Sequence, residues 1–316
     1  IHPAGRFLYS VSEERDAQGR HGGFVNAFAI DPANGALAFI NRQPVHGAGP
    51  CHVVTERKGR VVVVSNYTSG GVATFPVNNN GSLGEACDSI QHHGSSIDPE
   101  RQEGPHAHSA TVSPDNRFVL VADLGLDRLM VYRLDARSGR LTAHEPPWVS
   151  IHPGSGPRHC VFRPDGKFLY LVNELASTIT VLSHDTPRGI LAEIQTLSLL
   201  PDGFKGKSYA ADVHVSPTGD FVYASNRGHD SIAIFSVSRA SGLLNLAGHV
   251  PTQGAWPRGF AIDPTGGYLL VANQNSDSVV VFRLDTGTGA LTPTGHPVRL
   301  SMPVCLKVLA KAMALS

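Results

Sequence analysis

Short runs of alternating apolar and polar residues follow one another along the chain, each closed by Gly, Pro, Asn or Asp. Period-two alternation between such breakers predicts β-strands joined by tight turns. The stretch GPRHCVFRPDGKFLYLVNEL (156–175) is the clearest unit. An alternating strand leads to a turn at Pro164-Asp165-Gly166, and a second strand runs from Phe168 to Val172. Related stretches start at Ile1 (IHPAGRFLYSVSE), Cys51 (CHVVTERKGRVVVVSNY), His106 (HAHSATVSPDNRFVLVADLG), Ala211 (ADVHVSPTGDFVYASNRG) and Pro257 (PRGFAIDPTGGYLLVANQN). Aligned on the turn proline, which Arg57 replaces in the second copy, they sit at 3, 57, 114, 164, 217 and 264, with spacings of 54, 57, 50, 53 and 47.

A third strand follows each hairpin, as in SIAIFSV (231–237) and SVVVFRL (278–284). A turn such as DTGTGAL (285–291) then leads to a fourth, less regular strand. Four strands in a repeat of about 40–50 residues are the signature of a propeller blade. A β-solenoid would repeat over shorter lengths, and a two-sheet sandwich would not repeat six times. The expectation is an all-β, seven-bladed propeller forming one domain over residues 1–316. The first repeat opens inside its own first strand. PVCLKVL (303–309) reads as a first blade strand without a hairpin partner. Blade length then implies about 40 missing N-terminal residues, so that six blades and one C-terminal strand are present. A closed six-bladed ring is the alternative.

Composition fits this reading. Gly and Pro supply 33 and 22 of the 316 residues, while charged residues make up only 16%, against about 25% in an ordinary domain. The formal net charge is zero, which argues against nucleic acid as a partner. No apolar run reaches the about 20 residues of a membrane helix, and no signal peptide is visible, so no membrane partner and a cytoplasmic location are expected. Cys51, Cys87, Cys160 and Cys305 form no Cys-x-x-Cys pair and read as free thiols in a reducing compartment.

The charged residues fall at the ends of the hairpins. In an antiparallel hairpin the entrance of the first strand and the exit of the second share one edge, so Arg158 and Glu174 should be spatial neighbours. His159 shares the entrance of Arg158, and the other entrances carry Cys51-His52, His106-Ala107-His108, Asp212 and Arg258. The exits carry Asn66, Asp123, Asn173, Asn226-Arg227 and Asn273-Gln274. Asn and Asp after a strand can simply cap turns. Arg and Glu are poor turn formers, so Arg158, Glu174 and Arg227 mark either a polar site or an ion-pair network between blades. His106 and His108 share a strand face, but no third metal ligand of fixed spacing accompanies them. Two longer polar segments, 91–104 and 200–210, lead into entrance strands and carry Arg101, Lys205 and Lys207. They suit binding loops or plain solvated surface.

At these residues the chain resembles the seven-bladed propeller lactonases, a family that includes bacterial propeller-type 6-phosphogluconolactonases and fungal carboxymuconate-cyclising enzymes. The resemblance rests on GPRHCVFRPDGKFLYLVNEL, PHAHSATVSPDNRFVLVADLGLDR, YAADVHVSPTGDFVYASNRGHDSIAIFSV and WPRGFAIDPTGGYLLVANQ. It covers the whole chain, with the first two repeats matching loosely. It implies a catalytic set of His108, Arg158, Glu174 and Arg227. Residues at substrate would be His106, His159, Asp123, Asn173, Asn226 and Arg258. No metal or other cofactor is expected. The partner is a small anionic sugar lactone, met by a monomer or weak homodimer, and the reaction implied is a step of the pentose phosphate pathway.

Lactone opening needs an activated water and a stabilised oxyanion. A histidine base suits neutral pH, whereas two arginines would push a glutamate away from that role. His108 is therefore the expected base, with Glu174 orienting it or holding substrate hydroxyls. Arg158 and Arg227 would bind anionic groups and developing charge. No G-x-S-x-G motif or Gly-rich phosphate loop occurs, which argues against a serine hydrolase or nucleotide enzyme. The alternatives are a carboxymuconate-type cycloisomerase, a metal-dependent lactonase and a non-catalytic binding scaffold.

Overall fold

Each of the six predicted turns closes as expected. The amide of the fourth turn residue donates to the carbonyl of the first: Gly5 to His2, Gly59 to Glu56, Asn116 to Ser113, Gly166 to Arg163, Gly219 to Ser216 and Gly266 to Asp263. Proline suits the second position of such a turn and Gly the fourth. The computed structural model describes residues 1–15, 19 and 21–309. Among these, six antiparallel sheets follow in chain order and no α-helix forms.

The described residues divide into two compact units, residues 1–156 with Leu309 and residues 157–308. The first unit holds three sheets. Strands Phe7–Arg15, His21–Ile30 and Leu37–Pro44 form a three-stranded sheet, and strands Pro50–Thr55, Val61–Asn66, Gly71–Pro76 and Asp88–Gln91 a four-stranded one. The third sheet has strands Ala107–Val112, Phe118–Asp123, Arg128–Asp135 and Arg140–Ser150. The second unit also holds three. Its sheets begin with hairpins Pro157–Phe162/Phe168–Asn173, Tyr209–Val215/Phe221–Arg227 and Pro257–Ile262/Tyr268–Asn273. In the last sheet the outer strand is split into Leu291–Pro293 and Val298–Arg299.

The second strands are the most buried, because both faces meet neighbouring sheets. Val61–Asn66, Phe118–Asp123 and Phe221–Arg227 are buried throughout. Apolar side chains of consecutive sheets make the core, as where Tyr170, Val172 and Ile179 meet Val213, Val222 and Phe235. A tyrosine on the strand that follows the turn reaches the next sheet: Tyr9 donates to Gly81 O, Tyr170 to Gly242 O and Tyr223 to Gly289 O, at 3.0–3.1 Å. Burial pushes all three phenols upward, Tyr9 to about 12.

One expected element does not form. Pro303–Leu309 makes no strand ladder. Val304 O and Cys305 instead lie against Gly259 on the entrance strand of the last sheet, in contact so close that a Cβ there would sit 2.7 Å from Val304 O. An extended, alternating segment has the sequence of a strand, but only a partner edge makes it one. None of the four cysteines is joined in a disulfide. No helix among the described residues is long and apolar enough to cross a membrane.

Candidate active site

The entrance strands share a defect that positions the chemistry. Register between first and second strands shifts at Pro50/His52, Ala107/Ser109, Pro157/His159 and Pro257/Gly259. The residue left out of the ladder is Cys51, His108, Arg158 or Arg258. In the fifth sheet the shift falls between Ala210 and Val213 and leaves out Ala211 and Asp212. A β-bulge bends the strand and re-aims the extra side chain. Facing the residue before each bulge, the second strand carries Asn66, Asp123, Asn173, Asn226 or Asn273.

In the second unit the bulges gather a buried ionic cluster. Arg158 Nε donates to Glu174 Oε2 at 2.9 Å, and Arg227 Nη2 donates to the same oxygen at 2.9 Å. Arg158 Nη1 also donates to Ala211 O. Arg227 donates further to Ala210 O at 3.1 Å and Tyr209 O at 3.4 Å. The three side chains are 3–6% exposed. One carboxylate thus faces two guanidiniums, and Arg258 adds repulsion. Burial first, then Arg158, lowers Arg227 to about 10, against the pull of Glu174. Arg158 Nη2 and Arg227 Nη1 donate to no group among the described residues. A buried cluster with surplus positive charge and unused donors is built to take an anion.

Beside it, Asp212 bridges two histidines. His159 Nδ1 donates to Oδ1 at 3.0 Å and His214 Nε2 to Oδ2 at 3.1 Å, while Phe260 N donates to Oδ2 at 3.2 Å. Burial, and then Arg158, push His159 down to about 4 although Asp212 pulls upward. Burial alone would raise the Asp212 carboxyl, but the two imidazoles hold it well below the usual range. Because His159 follows Arg158 and Asp212 follows Ala211, this bridge ties together the two strands whose bulges make the Arg158–Ala211 contact.

In the first unit, His108 is buried on its bulge, edge-on to Tyr67 at 5.4 Å, and its carbonyl accepts from the Cys51 thiol at 3.2 Å. His106 stacks on Tyr67 at 4.6 Å, donates through Nδ1 to Tyr67 O at 2.9 Å, and has Nε2 3.2 Å from Glu103. The 91–104 segment is pinned: Gln102 donates to Leu124 O at 2.8 Å, Ser96 to Asp127 at 2.6 Å and Arg101 to the Tyr67 hydroxyl at 3.3 Å.

Three residues expected at substrate, Asp123, Asn173 and Asn226, are wholly buried. Asp123 is fully buried, taking the His92 imidazole at 2.6 Å and the amides of His106 and Leu126. Asn226 donates to Leu199 O at 2.8 Å, and Asn173 to Thr178 and Thr180 at 2.9 and 3.0 Å. Of these contacts, the Leu126 amide taken by Asp123 three residues earlier is the turn-capping role open to Asp after a strand.

Tyr209 and Trp256, which flank Arg227 with ring centroids 5.9 and 5.5 Å from its guanidinium carbon, escaped the sequence reading. The available signal was Trp256-Pro257-Arg258 standing where the fourth sheet has Gly156-Pro157-Arg158.

Repeated four-stranded sheets, with arginines and a glutamate set on bulged hairpin ends, define a propeller of the lactonase type. The chain belongs to the family described as Lactonase, 7-bladed beta-propeller, whose profile matches residues 1–308. It is 41% identical over 256 residues to the 6-phosphogluconolactonase of Bacillus subtilis, covering 81% of this chain and 70% of that protein. It is 38% identical over 268 residues to the 6-phosphogluconolactonase of Formosa agariphila, covering 83% and 74%. Among solved structures, the periplasmic gluconolactonase of Pseudomonas aeruginosa superposes with a TM-score of 0.89 at 36% identity, covering 96% of this chain and 85% of that one.

Proposed function

We propose that this protein hydrolyses 6-phosphogluconolactone to 6-phosphogluconate. The observation that carries the reading is the buried cluster of two guanidiniums on one carboxylate, which favours an anionic substrate. The names of the relatives above favour the phosphorylated sugar lactone over a carboxylated muconolactone. In the reaction, water adds to the ester carbonyl, the ring C–O bond breaks, and the departing oxygen takes up a proton. The unused Arg158 and Arg227 donors serve the substrate's anionic group and the oxyanion that forms at the carbonyl. Glu174, held by both arginines, is disfavoured as the base. We assign that role to His108 on the family resemblance, with proton transfer near neutral pH.

The test is lactone opening by the protein and by Arg158→Ala, with spontaneous hydrolysis subtracted and a chelator present. The expected result is turnover of 6-phosphogluconolactone and a loss in kcat/KM of about 100-fold or more in the variant, the usual cost of one oxyanion donor. Absence of turnover above background for both this lactone and gluconolactone sinks the proposal and turns attention to muconolactones or a binding role.

A further inference from the structure

Trp256 has φ of +64°, a left-handed backbone that bulky L-residues rarely adopt. The equivalent residues, each just before the proline opening an entrance strand, are Gly49 at +61° and Gly156 at +65°. Glycine takes this conformation without steric cost. In the sixth sheet a tryptophan takes it instead. It is held there by its own amide, which donates to Asp230 Oδ1 at 2.9 Å, and by its carbonyl, which accepts from Gln274 N at 3.1 Å.

Arg227 is already fixed by Glu174, Ala210 O and Tyr209 O, so the indole is not required to hold it. What the left-handed turn achieves is placement. The half-buried indole stands 5.5 Å from the Arg227 guanidinium and 6.1 Å from the Tyr209 ring, at 60° to it. The two rings make an apolar corner beside a guanidinium whose Nη1 is unused among the described residues. Strain kept at such a place points to function, and an apolar wall beside a few convergent polar groups is how small-molecule sites fix orientation.

The geometry points to Trp256 as a specificity-determining residue: its ring, with Tyr209, is the wall on which the C–H face of a sugar-derived ring rests while the ring's anionic or carbonyl oxygen meets Arg227. This deepens the lactonase reading and rests on it. The wall contacts the ring and not its phosphate, so it serves phosphorylated and unphosphorylated lactones alike.

Trp148 and Trp256 are the two tryptophans, so Trp148→Phe leaves Trp256 as the sole indole reporter. In that background, glucose 6-phosphate and glucose, which keep a closed sugar ring and are not hydrolysed, are titrated while the emission is followed. Kinetics of Trp256→Gly and Trp256→Phe are measured on both lactones, with melting curves. Gly suits this backbone, as Gly49 and Gly156 demonstrate, and Phe keeps an aromatic face. The expected results are a saturable emission change, a KM at least fivefold higher for both lactones in Trp256→Gly with kcat little changed, and recovery to within threefold of the parent in Trp256→Phe. A smaller rise in KM, a Phe variant as impaired as the Gly variant, or no emission response overturns the proposal. If the parent opens neither lactone, the lactonase reading fails by itself, and the emission titration alone decides for or against the wall.

Discussion

Glu174→Gln removes the charge from the centre of the cluster while keeping its shape and one hydrogen-bond acceptor. Glu174 Oε2 lies 2.9 Å from both Arg158 Nε and Arg227 Nη2. With charge centres about 4 Å apart and an effective dielectric constant of about 20, each attraction is worth roughly 4 kcal/mol. The variant forfeits about 8 kcal/mol of attraction and regains the several kcal/mol that desolvating the carboxylate costs. The net loss is about 3–5 kcal/mol, the range for a buried pair stripped of one partner. At roughly 2 °C per kcal/mol for a chain of this size, melting should fall by about 6–10 °C. Thermal denaturation followed by circular dichroism measures this, in phosphate and in chloride at equal ionic strength. Two guanidiniums without their carboxylate should gain more from phosphate than the parent does. A fall of less than about 2 °C, with no extra gain in phosphate, would refute the claim that this carboxylate offsets two buried cations.

Two further outcomes are expected. His159 sits at about 4 in the folded protein against an ordinary 6.5, through burial and Arg158. The unfolded chain therefore binds the proton first, and stability is lost as pH falls from about 6.5 towards 4, by at most roughly 3 kcal/mol. Asp212, held well below its ordinary value, extends the loss to lower pH. Melting temperature against pH should be flatter for His159→Asn than for the parent, and parallel curves would contradict the assignment. His108→Asn should lower kcat/KM by about 100-fold or more, the scale of general-base catalysis, and abolish the acidic limb of its pH profile. Retention of that limb would place the base elsewhere.

Local rules carried much of the architecture. A Gly or Asn fourth in each turn, a proline second in all but the Arg57 turn, and alternation on both sides were enough to place five hairpins along the chain. Antiparallel pairing by itself put Arg158 beside Glu174, because sixteen residues of hairpin return to their starting edge. Adjacent sheets decided the rest. The bulges that turn out His108, Arg158 and Arg258 leave the local alternation intact and are read only from the pairing. Sharing of Glu174 by Arg227, and of Asp212 by His159, joins residues tens of positions apart whose meeting depends on how one sheet packs on the next. Asn173 and Asn226 look in sequence like residues of an open edge, yet packing buries them and directs their amides inward. Pro303–Leu309 alternates like a strand, but a strand needs a free edge with which to exchange hydrogen bonds. Periodicity therefore determined the elements and which hairpin ends carry charge. Whether those charges meet, which are buried, and how a tryptophan takes a glycine's backbone were settled by contacts between sheets, which a local pattern does not encode.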